Sequence, residues 1–282
     1  MNTSRVVVTG GTHDMAFAIG SLLINLQETN KKEYSTLIIY HDGISIEDQE
    51  IMSKIGSVEF VFYRADFRNK RFNRSRNLIY FSDMVFSKYE CLSLLDKYPQ
   101  VMWLDYDIFL TGSLEELFQI TGHPFITLSS TRPVLASFRK EVSGFDMYQP
   151  GMSSGTFLLN QDLGDNSAML NFCKQQTVRY AHKLKMPEQA IFDLMIQEFS
   201  VEPFFIDPEK YALHPDEVGT DSDPAIVHCY GRQKFWSGID YLPWQANYQQ
   251  WLSMGGSPAP LIKPRSKIRK SATFLRQWVN SF

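Results

Sequence analysis

The sequence has few cysteines, no surplus of positive charge and no long apolar run. Its 282 residues include only Cys91, Cys173 and Cys229, widely spaced and without a Cys-x-x-Cys pair. That excludes a zinc ribbon and a dense disulfide framework, and reduced, partly buried thiols in a cytosolic protein are expected. Lys and Arg total 28 against 31 for Asp and Glu, a formal charge of -3. A nucleic-acid binder carries a broad basic excess, so no nucleic-acid partner is expected. The opening apolar segment, Val6-Val7-Val8, is too short for a signal-peptide core, and no uninterrupted membrane span follows. Gly10-Gly11 lacks the full glycine spacing of a dinucleotide fingerprint.

Hydrophobic residues are plentiful at 44%, with 14% aromatic, enough for a large core near the upper size of one domain. Short apolar runs alternate with helical patterns through the first half. Strands are expected at 6–8, 36–40, 58–63 and 101–104, with helices at 16–27, 45–55 and 82–98. Ser45 and Asp48 suggest a helix cap, as do Ser113 and Glu116. Further strands are expected at 125–128, 156–159, 201–206 and 225–229, with a helix at 189–199. Continuous apolar strands separated by helices predict an α/β fold with a mainly parallel sheet covered on both faces. Residues 1–260 read as one domain, with a nucleotide-binding part over about 1–110 and an acceptor-side part over about 111–260. Residues 261–282 form a tail with six basic residues, no acid and several aromatics. Such a tail suits an anionic membrane face, or else packs on the body as an amphipathic helix.

Ligands of such sheets bind beyond the carboxyl ends of the strands. Asp105 and Asp107 follow the strand at 101–104, and an extended backbone there would turn both to one side with Tyr106 opposite. Two carboxylates held together repel unless they share a proton or a cation, and a divalent ion with phosphate oxygens is a natural solution. A solvated turn is the plainer reading of Asp-x-Asp. His228 ends the apolar Ala225-Ile226-Val227 and can reach the same edge, where a nitrogen ligand favours manganese over magnesium. Thr9, Gly10 and Gly11 are expected to form a nucleotide-facing turn, and Asp42 to meet the nucleoside or simply close a turn. Residues 64–76 carry six basic residues and one acid, which suits either an anionic ligand or a solvated loop.

The order of motifs resembles glycosyltransferase family 8, over about residues 5–236. The matching segments are Leu104-Asp105-Tyr106-Asp107-Ile108, then Ser153-Ser154-Gly155-Thr156-Phe157-Leu158-Leu159-Asn160, then Pro187-Glu188-Gln189, and finally His228-Cys229-Tyr230-Gly231-Arg232-Gln233-Lys234-Phe235-Trp236. The resemblance implies a GT-A fold, a divalent metal (Mn2+, with Mg2+ also workable) and retention of the donor's anomeric configuration. It implies a UDP-hexose donor, UDP-glucose or UDP-galactose, and a saccharide or lipid-linked oligosaccharide acceptor. Asp105, Asp107 and His228 would hold the metal. Lys88, Tyr106, Ser154, Gly155, Gly231 and Lys234 would meet the donor. Gln189 would lie beside the transferred sugar, with Glu188 and Asp162 as lesser candidates. The implied setting is the cytoplasmic face of a membrane. This chain departs from the family pattern at Ser153, Glu188, Phe235 and Lys88, and lacks the usual acid in the first βα turn. A phosphotransferase using Asp105 and Asp107, and an inactive sugar-nucleotide-binding protein, are the competing readings.

Overall fold

The computed structural model describes residues 5–68 and 81–260. The tail at 261–282 and most of the basic run lie outside the described residues. Within that run, Arg68 is described and pairs with Asp83.

A seven-stranded sheet has the order β3-β2-β1-β4-β7-β6-β8. Its strands are β1 Arg5–Gly11, β2 Thr36–His41, β3 Val58–Phe62, β4 Gln100–Leu104, β6 Phe125–Pro133, β7 Pro150–Asn160 and β8 Pro203–Ile206. Only β7 runs antiparallel to its neighbours, so the expected mainly parallel sheet is present. β1, β2 and β4 are apolar on both faces because separate cores cover them: Val8, Ile38 and Trp103 belong to one, Val7, Leu37 and Met102 to the other. β1 pairs with β2 on one side and β4 on the other, which opens a crevice beyond their carboxyl ends.

A second, two-stranded sheet pairs β5, Ile108–Leu110, with β9, Ile226–His228. Both strands are fully buried and only three residues long. Ile108 stands opposite His228, and the Cys229 amide donates to the Asp107 carbonyl at 2.9 Å. This small sheet brings the two halves of the sequence together at the crevice.

Helices α1, Ala16–Thr29, and α8, Leu242–Ser253, pack together on one face. Trp251 lies so close to Gly20 that a Cβ there would sit 2.3 Å from its ring. Phe17, Trp236, Trp244 and Tyr248 extend the contact, with Trp244 stacked on Phe235 at 5.3 to 6.5 Å between centroids across the group. Among the described residues the remaining α-helices are α2 Ile46–Ile55, α3 Glu90–Leu94, α4 Glu115–Phe118, α5 Asn166–Tyr180, α6 Pro187–Glu198 and α7 Pro208–Tyr211.

Ser45 caps α2 as expected, accepting from the Asp48 amide at 3.1 Å. The helix expected at 82–98 is instead a 3-10 helix, Asp83–Tyr89, leading into the five-residue α3. The expected Ser113–Glu116 box does not form. Ser113 accepts from Glu115, while Glu116 is drawn outward to Lys210 and Tyr211. Helices α5, α7 and α8 and strand β5 were not anticipated.

Candidate active site

The acidic pair is not an extension of β4. The strand stops at Leu104, and residues 105–107 turn before β5 begins. The carboxylates nevertheless converge, because their flanks are pinned separately. The Asp105 amide donates to the Gly155 carbonyl at 2.9 Å, and β5–β9 pairing holds Asp107 beside His228. One ligand atom each from Asp105, Asp107 and His228 lies within 4.8 Å of the others. Among the described residues this is the group with metal-ligating spacing. Gly155 makes room for it: a Cβ there would stand 2.4 Å from the His228 ring. Two carboxylates and an imidazole around one point are a donor set that fits a divalent metal ion.

Two lysines enclose this group. Lys234 Nζ bonds to Asp107 Oδ2 and, at 2.8 Å, to the Cys229 carbonyl. His228 Nε2 lies 3.3 Å from Asp107 Oδ1. Burial acts upward on the Asp107 carboxyl, yet His228 and Lys234 together hold it far below the usual carboxylate range. Lys88 is buried between two acids, 2.9 Å from Asp105 Oδ1 and 3.3 Å from Glu188 Oε1, and donates to the Ser154 carbonyl at 3.0 Å. Burial acts downward on its ammonium, but Asp105 and Glu188 more than offset this and keep it charged. The Ser154 hydroxyl closes the network on Glu188 at 3.0 Å. Burial pushes the Asp105 carboxyl up, with Lys88 opposing it.

Sequence reading missed Trp103, whose indole N–H donates to Asp105 Oδ1 at 2.7 Å. Its position at the end of β4, two residues before Asp105, was the available signal. Tyr230 was also missed as a site residue; it is about half exposed, with its ring 5.7 Å from that of His228.

Gly10 and Gly11 are corrected from a turn to the last residues of β1. A side chain at Gly10 would meet Ser87 and Trp103, and one at Gly11 would meet Ile19, Met15 and Tyr106. Thr9 is buried in the same strand. The turn proper begins at Thr12, where Asp42 crosses from the end of β2 and accepts from the His13 amide at 2.6 Å. Tyr106 is partly buried beside Trp236, 6.0 Å between ring centroids. Gly231 has φ +93°, a left-handed conformation that favours glycine. Gln189 lies in the first turn of α6 next to Glu188, and its amide donates to Ser137 Oγ at 3.2 Å. Asp162 lies in a 3-10 turn after β7, at the opposite end of that strand from Ser154.

Residues 6–240 match the family described as glycosyl transferase family 8. The chain belongs to that family. No curated protein matches its sequence significantly. Among solved structures it is similar to an active-site glutamine-to-glutamate mutant of LgtC, with 13% identity and a TM-score of 0.64, covering 94% of this chain and 99% of LgtC. It is likewise similar to galactosyltransferase LgtC in complex with donor and acceptor sugar analogs, with 14% identity, a TM-score of 0.62 and the same coverage. The WbbM bifunctional glycosyltransferase gives 13% identity and a TM-score of 0.64, covering 90% of this chain but 52% of WbbM. The chain thus spans about half of WbbM and nearly all of LgtC. The fold is the GT-A fold of these family 8 neighbours, and the phosphotransferase alternative falls away.

Proposed function

We propose that this family 8 protein is a metal-dependent, retaining hexosyltransferase. It moves a hexose from UDP-glucose or UDP-galactose to a hydroxyl of a saccharide or lipid-linked oligosaccharide. The observation that carries this reading is the convergence of Asp105, Asp107 and His228 under two lysines at the crevice mouth. When bound there, manganese supplies Lewis-acid stabilisation of the departing diphosphate.

The chain's own residues account for the rest. Lys234 is a point charge on a flexible stem and can turn from Asp107 toward the leaving oxygens. Lys88, fixed by Asp105, Glu188 and Ser154, orients the donor without moving. The bond to Ser137 fixes the Gln189 amide, whose carbonyl oxygen accepts no hydrogen bond among the described residues. That oxygen suits a developing positive charge at the anomeric carbon. An amide is a poor nucleophile, so the acceptor hydroxyl itself enters from the face the diphosphate leaves. The LgtC active-site mutant, which exchanges a glutamine, supports this role. Asp42, which accepts from the His13 amide at the first βα turn, is assigned to the nucleoside of the donor.

The tail at 261–282, with its basic and aromatic residues, is assigned to an anionic membrane surface on the cytoplasmic side. A donor-by-acceptor screen with manganese, followed by NMR of the product linkage, tests the reaction. The expected product retains the donor's anomeric configuration. An inverted linkage rejects retention, and donor binding without transfer to any acceptor favours the inactive sugar-nucleotide binder.

A further inference from the structure

Beyond the crevice, the carboxyl end of α6 and the starts of β7 and β8 enclose a cavity of about 490 Å3. That size lies within the range of small-molecule sites. Its walls include Gln149, Asp193, Glu202 and Phe205, and among the described residues neither lysine nor arginine contributes. A phosphate or nucleotide would find no cation there. Asp193 is 3% exposed; its Oδ1 accepts from the Met152 amide at 2.8 Å, while Oδ2 has no partner among the described residues. That second oxygen is closed to solvent, so a proton or an internal water, rather than a molecule in the cavity, meets the cost of burying it, and Asp193 serves as part of the wall. Phe205, 40% exposed, presents an aromatic surface on the same wall.

The exposed Glu202 carboxylate, the Gln149 amide and the Phe205 ring are complementary to a neutral polyol that has one apolar face. We propose that this cavity is a saccharide-binding subsite that holds hexose units of the acceptor away from the transferred sugar. Its connection to transfer rests on the hexosyltransferase reading above; saccharide binding itself does not. The geometry links the two. Gln189 and Asp193 are four residues apart on α6, hence on one helix face and about 6 Å apart along its axis. An oligosaccharide ending at Gln189 would lay its next units toward the cavity.

The test is NMR titration of the full chain with neutral hexose oligosaccharides of increasing length, without donor or metal. Perturbed signals at Asp193, Ser200 and Phe205 are expected, strengthening with chain length. Phe205→Ser and Gln149→Ala should each weaken that binding about fivefold or more and raise the KM of longer acceptors, with UDP-hexose binding unaltered. Both positions are partly exposed, so a folding failure in one leaves the other as the probe. Shifts confined to Ser137 and Gln189, affinities unchanged in both variants, or tighter binding of a simple primary amine than of any sugar would overturn the subsite. Oligosaccharide binding that persists while no transfer is found with any donor would keep the subsite and reject the transfer reading.

Discussion

At the scale of single residues, the candidate metal site depends on an atom that is missing. Gly155 has no Cβ, and the His228 imidazole fills the space that one would occupy. Gly155→Ala should therefore leave the fold intact while displacing the ring, lowering manganese affinity about 10- to 100-fold. Titration calorimetry beside circular dichroism checks this, with His228→Ala as the reference. Asp193 gives a second residue-scale outcome. Burial pushes its carboxyl up to about 7, with the Met152 amide opposing. The folded chain then keeps a proton that the unfolded chain releases near pH 4, so stability falls as pH rises from about 4 to about 7, then levels off. Denaturant unfolding across that window should show the slope, up to about 4 kcal/mol, and Asp193→Asn should remove Asp193's share. Glu202, the other carboxyl on that cavity, is exposed and is expected to contribute little.

Which of these residues could be read in advance follows from how local their signals are. Asp105 and His228 were legible because one directly follows and the other ends an apolar strand, Asp107 because it stands two residues from Asp105, and such strand ends share one crevice. Lys88 was placed near the donor by resemblance, but its burial between Asp105 and Glu188 comes from contacts across three separate segments. The indole of Trp103 looked like core, and only the turn after Leu104 brings Asp105 back to its N–H.

At the scale of elements, the α1–α8 contact supports the loop that carries Gly231 and Lys234. Trp251 is fully buried, fits over Gly20 and Gly256, and donates to the Ser257 carbonyl at 2.9 Å. Trp251→Ala should cost about 3–5 kcal/mol. Gly20→Ala should cost about 1–3 kcal/mol by overpacking, because its new methyl would meet a rigid ring. Chemical denaturation measures both. α8 was not foreseen because its buried Trp244, Asn247 and Trp251 make a sparse stripe among polar residues. The 82–98 segment has the opposite character: it carries a helical apolar pattern, but packs as a 3-10 turn so that Ser87 and Lys88 can face Gly10 and Ser154. β5 and β9 are each too short to show a period, although Ala225-Ile226-Val227 marked one of them.

At the scale of the whole molecule, the described body and its tail have opposite electrostatic characters. The complete chain carries -3, so the six basic residues of 261–282 leave the rest more acidic still. Full-length protein should sediment with anionic vesicles, and a version ending at Pro260 should remain in the supernatant, with neutral vesicles retaining neither. Equal partitioning of the two versions would remove the membrane role. The sheet order was only partly legible. Alternating strands and helices implied the parallel side, whereas β7 reverses direction because residues 134–149 return the chain beside β6 rather than across the sheet.

The pairing of β5 with β9 also sets a timetable for the protein's birth. Asp107 and Lys234 are 127 residues apart in sequence. At a synthesis rate of roughly 5–20 residues per second, the acidic pair leaves the ribosome about 6–25 s before its lysine and histidine partners. Throughout that interval the nascent chain carries two neighbouring carboxylates without the imidazole and ammonium that later hold them, and β5 has no strand to pair with.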